Sequence, residues 1–182
     1  MLFTGVAKRA PFAGGVGVAL LGLVAAGVLA RGGPPPADAP PGEVGVGGAV
    51  LGAVLPVAAP GQRLQMTELV WEPGAYATSH SHPLAQIACV QSGALGMSIQ
   101  EGATTVIRGG AGPTPAATEP LAIGVEAILN PRDCVSYDEF AAHTVHTVWN
   151  ASDGTTVLWT ADLVEDGEPY TTYVDLAATP AP

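Results

Sequence analysis

An all-β sandwich or barrel is the fold this sequence predicts. From Gln62 onward, short runs rich in β-branched, aromatic and aliphatic residues alternate with turn signals, a spacing that reads as antiparallel hairpins. No segment beyond the N-terminal apolar run keeps a helical period. The 182 residues, less that run, hold about one domain, ample for a single core.

The elements follow in order. Lys8 and Arg9 precede an unbroken small and apolar run of 19 positions, Phe12 to Ala30, followed by Arg31 and a Pro-rich stretch. This reads as an export signal; it is long enough to span a bilayer, and Val28 and Ala30 also suit a cleavage site. Residues 1–30 are therefore expected to be either a signal peptide or an N-terminal membrane anchor, with the domain outside the cytoplasm in both cases. Residues 31–43 form a Pro/Gly/Ala-rich linker, and residues 44–182 form the domain, with its core at about 62–165. Val44 to Val57 is expected as an edge strand or strap. Strands are then expected at Leu64–Trp71, Gln86–Gln91, Ala94–Gln100, Thr104–Arg108, Leu121–Leu129, Cys134–Phe140, Thr144–Trp149 and Thr155–Leu163. Turns are expected at Glu72-Pro73-Gly74, Ser92-Gly93, Glu101-Gly102, Asn130-Pro131-Arg132-Asp133 and Ser152-Asp153-Gly154, and a loop over Gly109–Pro120.

Charge narrows the partners. Beyond residue 30 there are four basic residues, Arg31, Arg63, Arg108 and Arg132, against all 16 acids, a formal charge of −12. Nucleic acid is excluded as a partner for want of clustered Lys and Arg, and polyanionic substrates are disfavoured. A small-molecule ligand or substrate remains, and contact with a membrane is expected only through the N-terminal segment. Cys89 and Cys134 both fall in the exported part, where a disulfide is permitted, and two separate buried thiols are the alternative. Neither has metal-type spacing to the histidines.

The histidines carry the chemistry. Gly74, His80, His82, Gln86 and Gly93 are separated by five, one, three and six residues, and His146 with Asn150 follows as H-x3-N. Alternate side chains of a strand share a face, so His80 and His82 point together and Gln86 keeps that parity. With His146 brought back by a neighbouring strand, three imidazoles and an amide oxygen suit one divalent transition metal ion, whether Fe, Mn, Ni, Cu or Zn.

This pattern resembles the cupin family, whose first motif reads G-x5-H-x-H-x3,4-E-x6-G and whose second reads G-x5-P-x-G-x2-H-x3-N. Every spacing of the first is met, with Gln86 in place of Glu. In the second, His146 and Asn150 fit, while Ala141 and His143 replace Pro and Gly, and Arg132-Asp133 replaces Gly-Asp. The resemblance covers roughly residues 62 to 165 and implies a double-stranded β-helix, a jelly-roll barrel. It implies metal ligation by His80, His82 and His146, with Gln86 as a fourth ligand or an orienting neighbour. It also implies either a metal-dependent dioxygenase or related enzyme, or a binding or sensor module without turnover, or a barrel that the metal merely staples. A homodimer is plausible by the same resemblance. Glutamine is neutral and cannot act as a base, so the metal keeps its full charge.

The remaining polar and aromatic residues are expected as follows. His143 faces away from the metal on a turn, and Asn150 pins the turn after its strand. Tyr76 and Tyr137 are candidates for the pocket wall, Trp149 packs on the opposite face, and Met97 is core. Asp138 and Glu139 are candidate bases in place of Gln86.

Overall fold

The computed structural model describes residues 32–109, 117–141 and 143–176. The expected export segment, and the middle of the expected loop at 110–116, lie outside the described residues.

Eleven strands make up the described structure: β1 Glu43–Val54, β2 Gln62–Ser81, β3 Leu84–Ser92, β4 Leu95–Glu101, β5 Thr104–Arg108, β6 Ala117–Leu121, β7 Glu126–Leu129, β8 Cys134–Asp138, β9 Val145–Asn150, β10 Thr156–Glu165 and β11 Thr172–Tyr173. Every pairing between named strands is antiparallel. The order β6-β5-β8-β3-β10-β2-β9-β4-β7, with β1 and β11 also on β2, curls into a nearly closed barrel with an apolar interior.

Three expectations change, the first being the strand expected over Leu121–Leu129, which is divided: β6 ends at Leu121 and β7 begins at Glu126. Glu72-Pro73-Gly74 is a corner inside one 20-residue strand, not a turn between two strands. Gly74 takes φ 79°, which lets β2 leave its pairing with β10 (Gln62–Trp71) and pair with β9 (Tyr76–His80) without a break in the chain. β1 follows the same corner by a bulge at Gly45. The expected Gly109–Pro120 loop is also shorter than its composition suggests, because Ala117–Pro120 enter β6 opposite β5. Pro120 costs nothing there, since β6 lies at the end of the sheet order.

The interior follows the period of two. Gln86, Ala88 and Val90 of β3 point in, and so do Leu158, Thr160, Asp162 and Val164 of β10. Met97 is core, as expected. Asn150 pins its turn: Nδ2 donates to Trp71 O, Glu72 O and Gly154 O, while Oδ1 accepts from Ser152 and Thr156. The turn between β9 and β10 is thereby tied to the β2 corner. Gly93 has φ 76°, and a Cβ there would collide with Thr156 Oγ1.

Cys89 and Cys134 sit opposite each other on β3 and β8 and form a disulfide. Its sequence separation of 45 closes a long loop, for which loop-closure entropy gives roughly 3–4 kcal/mol. The double variant Cys89→Ala/Cys134→Ala is expected to lose about that much in urea denaturation at neutral pH. An unchanged midpoint would show that the strand pairing alone fixes this edge.

Candidate metal centre

His80 and His146 are direct cross-strand partners on β2 and β9. His82 lies just beyond β2, on the same side as His80. Ring centroids are 4.9 Å apart for His80 and His82, 4.3 Å for His80 and His146, and 5.1 Å for His82 and His146. One nitrogen from each lies within 4.8 Å of the other two, a spacing that small ring rotations bring within reach of one ion. All three side chains are buried, and they line a cavity of about 390 Å³ that opens between β1 and β11.

The tautomers are set from behind. Nδ1 of His80 lies 2.6 Å from Thr78 O, and Nδ1 of His82 lies 2.9 Å from Tyr170 O. A carbonyl only accepts, so each Nδ1 carries the proton and each Nε2 keeps its lone pair. The Thr144 backbone lies close enough to His146 to favour its charged form, yet Nδ1 reaches no hydrogen bond of ordinary geometry. The His146 ring stacks on Tyr137 at 4.7 Å.

Burial and mutual repulsion keep the imidazoles neutral. Burial, followed by the His82 charge, lowers the His80 pKa to about 3. Burial lowers that of His82 against the opposing pull of Tyr170 O and Asp162, and that of His146 falls well below the ordinary value for the same main reason. Burial also raises the phenols of Tyr137 and Tyr170, which stay protonated as donors.

Gln86 lines the same cavity, and its amide is held by groups the sequence reading overlooked. Strand register sets Gln65, Asp162, Gln86 and Tyr137 side by side across β2, β10, β3 and β8. Nε2 of Gln86 donates to Asp162 Oδ1 at 2.8 Å and to Tyr170 OH at 2.7 Å. Asp162 is fully buried, and its Oδ2 accepts from Thr67, Thr160 and Tyr170. With the amide nitrogen facing the carboxylate, Oε1 points elsewhere. Asp162 betrays itself in sequence only by parity with the inward Leu158 and Val164. Tyr170 and Tyr173 come from a C-terminal segment with no strand period.

The other candidates separate cleanly. Tyr137 lines the cavity, as expected, whereas Tyr76 does not; it pairs with Trp149 on the opposite face. Trp149 packs against Gly96, away from the histidines. Neither Asp138 nor Glu139 reaches the cavity: Asp138 is exposed, and Glu139 Oε2 accepts from Thr144 N, with His143 Nδ1 at 3.5 Å. His143 is exposed on its turn, as expected.

Among solved structures, a cupin 2 domain-containing protein from Halorhodospira halophila matches at 18% identity over 73% of this chain and 72% of that one, with a TM-score of 0.43. The polyketide cyclase RemF from Streptomyces resistomycificus matches at 16% identity over 76% and 77%, with a TM-score of 0.40. Oxalate oxidase in complex with the substrate analogue glycolate matches at 14% identity over 71% and 55%, with a TM-score of 0.35. Its structural neighbours are cupin-fold proteins. No protein-family model and no curated protein sequence matches the chain. The described residues form a nearly closed antiparallel barrel with a buried three-histidine cluster suited to a metal.

The cluster fits a divalent ion on its own chemistry. Three neutral imidazoles converge, two of them with fixed tautomers, and the nearby Asp162 carboxylate is bonded only to neutral donors among the described residues. A buried carboxylate without a cationic partner is costly, and a divalent ion at the histidines would supply its counter-charge.

Two outcomes are expected here. Gln86→Glu sets a second carboxylate against Asp162 and should destabilise the fold by about 2–4 kcal/mol in denaturant titration. Adding Asp162→Asn restores a donor–acceptor pair and should recover most of the loss. A Glu variant as stable as the parent, or no rescue, would refute the coupling.

The second concerns pH in the metal-free protein. The histidine pKa values are depressed on folding, so the unfolded chain binds more protons between about pH 6.5 and 3, and stability falls as pH drops through that window. The slope should approach about 1.4 kcal/mol per pH unit for each histidine and shrink when His80 is replaced by Phe. A melting temperature flat from pH 6.5 to 4.5 would contradict it.

Proposed function

We propose that the chain is an exported metal-binding protein that holds one divalent transition metal ion through His80, His82 and His146, with Gln86 Oε1 as a fourth donor, and presents it to a small molecule as an oxygenase-type enzyme. The observation that carries this is the convergence of three buried, neutral imidazoles on a cavity large enough for a small ligand. A bound ion supplies Lewis-acid polarisation of a ligand oxygen and, for a redox-active metal, one-electron chemistry. The chain's own residues do the rest. Thr78 O and Tyr170 O orient His80 and His82, Asp162 orients the Gln86 amide, and the Tyr170 hydroxyl stands beside it as a donor. The apolar walls exclude water from a ligand's reacting end.

A second reading, binding without turnover, is favoured by one observation. Asp162, the carboxylate that reaches Gln86, is engaged on both oxygens. Export is supported by the Cys89–Cys134 disulfide, which persists in oxidising compartments, and by the apolar run before Arg31.

Elemental analysis of the full chain after reconstitution should find about one transition metal per chain, and His80→Ala/His82→Ala should reduce it to near zero together with any metal-dependent gain in melting temperature. No metal in either protein would overturn the reading. Oxygen uptake by the loaded protein with candidate substrates then separates enzyme from binder.

A further inference from the structure

We propose that the cavity selects a compact, largely hydrocarbon molecule carrying a single ionisable oxygen at one end, and rejects compounds that bear two or more charges. The inference deepens the metal-binding reading and relies on it for the oxygen anchor.

The cavity is polar at one end and apolar along its length. The strands themselves show this. From Gln86 the inward face of β3 continues to Ala88, from His146 that of β9 continues to Val148, and from Asp162 that of β10 runs back to Leu158. These steps of two to four residues carry the wall about 7–13 Å from the polar cluster. Leu95 and Leu69 extend the same hydrocarbon surface from β4 and β2. A ligand that fills this space therefore buries an apolar body and has polar partners at only one end.

Charge fixes the head group. No lysine or arginine lines the cavity, and the described arginines are committed or distant: Arg63 lies 3.6 Å from Asp166, Arg108 bonds Glu119 and Asp133, and Arg132 is exposed on its turn. The carboxylates near the ligand space are Asp162, behind Gln86, and Glu43 at the rim, which accepts from Tyr173 OH at 3.0 Å. A divalent ion held by three neutral imidazoles and a neutral amide would place its positive charge at that end alone, where one anionic oxygen can meet it. A second anionic group would lie against hydrocarbon with no counter-ion, which low-dielectric surroundings penalise heavily.

The test compares three probes on the full chain loaded with Co2+, read by the cobalt visible bands at neutral pH. 2-Hydroxyacetophenone has a ring and one ionisable oxygen, phthalate has the same ring with two charges, and glycolate has one charge and no apolar body. The first should bind more tightly than either of the others by about tenfold or more. Phthalate or glycolate binding as tightly, or no probe binding at all, would overturn the proposal. Val46→Arg places a cation at the half-buried cavity rim on β1 and should shift the preference toward phthalate by about tenfold. Should that variant not fold, the comparison on the parent protein still decides. If no cobalt binds, the metal reading fails separately; the same probes are then compared on the metal-free protein by tryptophan fluorescence, where loss of the preference for 2-hydroxyacetophenone overturns the cavity proposal and its persistence upholds it.

Discussion

The pairing of β2 with β9 is the constraint on which the site depends, because it sets His80 directly across from His146. That pairing exists only because β2 turns a corner at Gly74 and passes from the β10 side of the barrel to the β9 side. The corner is held by the buried Asn150, whose amide bonds the carbonyls of Trp71 and Glu72. Asn150 ends the strand that carries His146, so a single side chain ties the geometry of the bend to the position of a proposed ligand. The glycines and the asparagine of the two motifs are thus the mechanical parts of the candidate metal centre, and the histidines are its proposed ligands.

Three neutral imidazoles and a carboxylate without a cation, all buried, form a poor stabilising core. Hydrocarbon of the same volume would fill the barrel at lower cost. The arrangement is consistent instead with a site whose local charge is completed by something that binds. The amide of Gln86 is central to this. It separates the Asp162 carboxylate from the histidines while staying bonded to it, so negative charge is present nearby without occupying a ligand position. The motif expectation of a carboxylate at position 86 is met one strand away, at position 162, with a neutral spacer between.

Sequence pattern revealed the barrel and the three histidines because both rest on the period of two, and spacing alone fixes which side chains share a face. It also placed Asn150 and Trp149 correctly, the one from its position in the motif and the other from parity. What it missed came from long-range register. Asp162 meets Gln86 only because β10 lies beside β3, a pairing between segments some 76 residues apart. Asp138 and Glu139, the candidate bases by sequence, adjoin the second motif but sit outside the cavity. Tyr170 and Tyr173 escaped because their segment has no periodicity; it is placed by its pairing with the end of β2. The Pro73-Gly74 corner was misread as a turn between strands because the same dipeptide chemistry serves both, and only the continuity of the ladder distinguishes them.

The distribution of protons bears on what this site can do unaided. Tyr137 and Tyr170 are held in the protonated state by burial, and the histidines that would share a metal have their Nδ1 or ring faces committed to backbone or aromatic neighbours. Asp162 accepts four hydrogen bonds, and Glu43 is bonded to Tyr173 at the rim. Among the described residues around the cavity, Asp162 and Glu43 are thus already engaged as acceptors. On the proposed reading, a molecule that reacts here brings its own acidic oxygen, and its apolar body fixes the orientation. On the proposed reading, chemistry and ligand class share one basis: the walls are hydrocarbon, no described basic residue lines them, and polar partners stand at one end only.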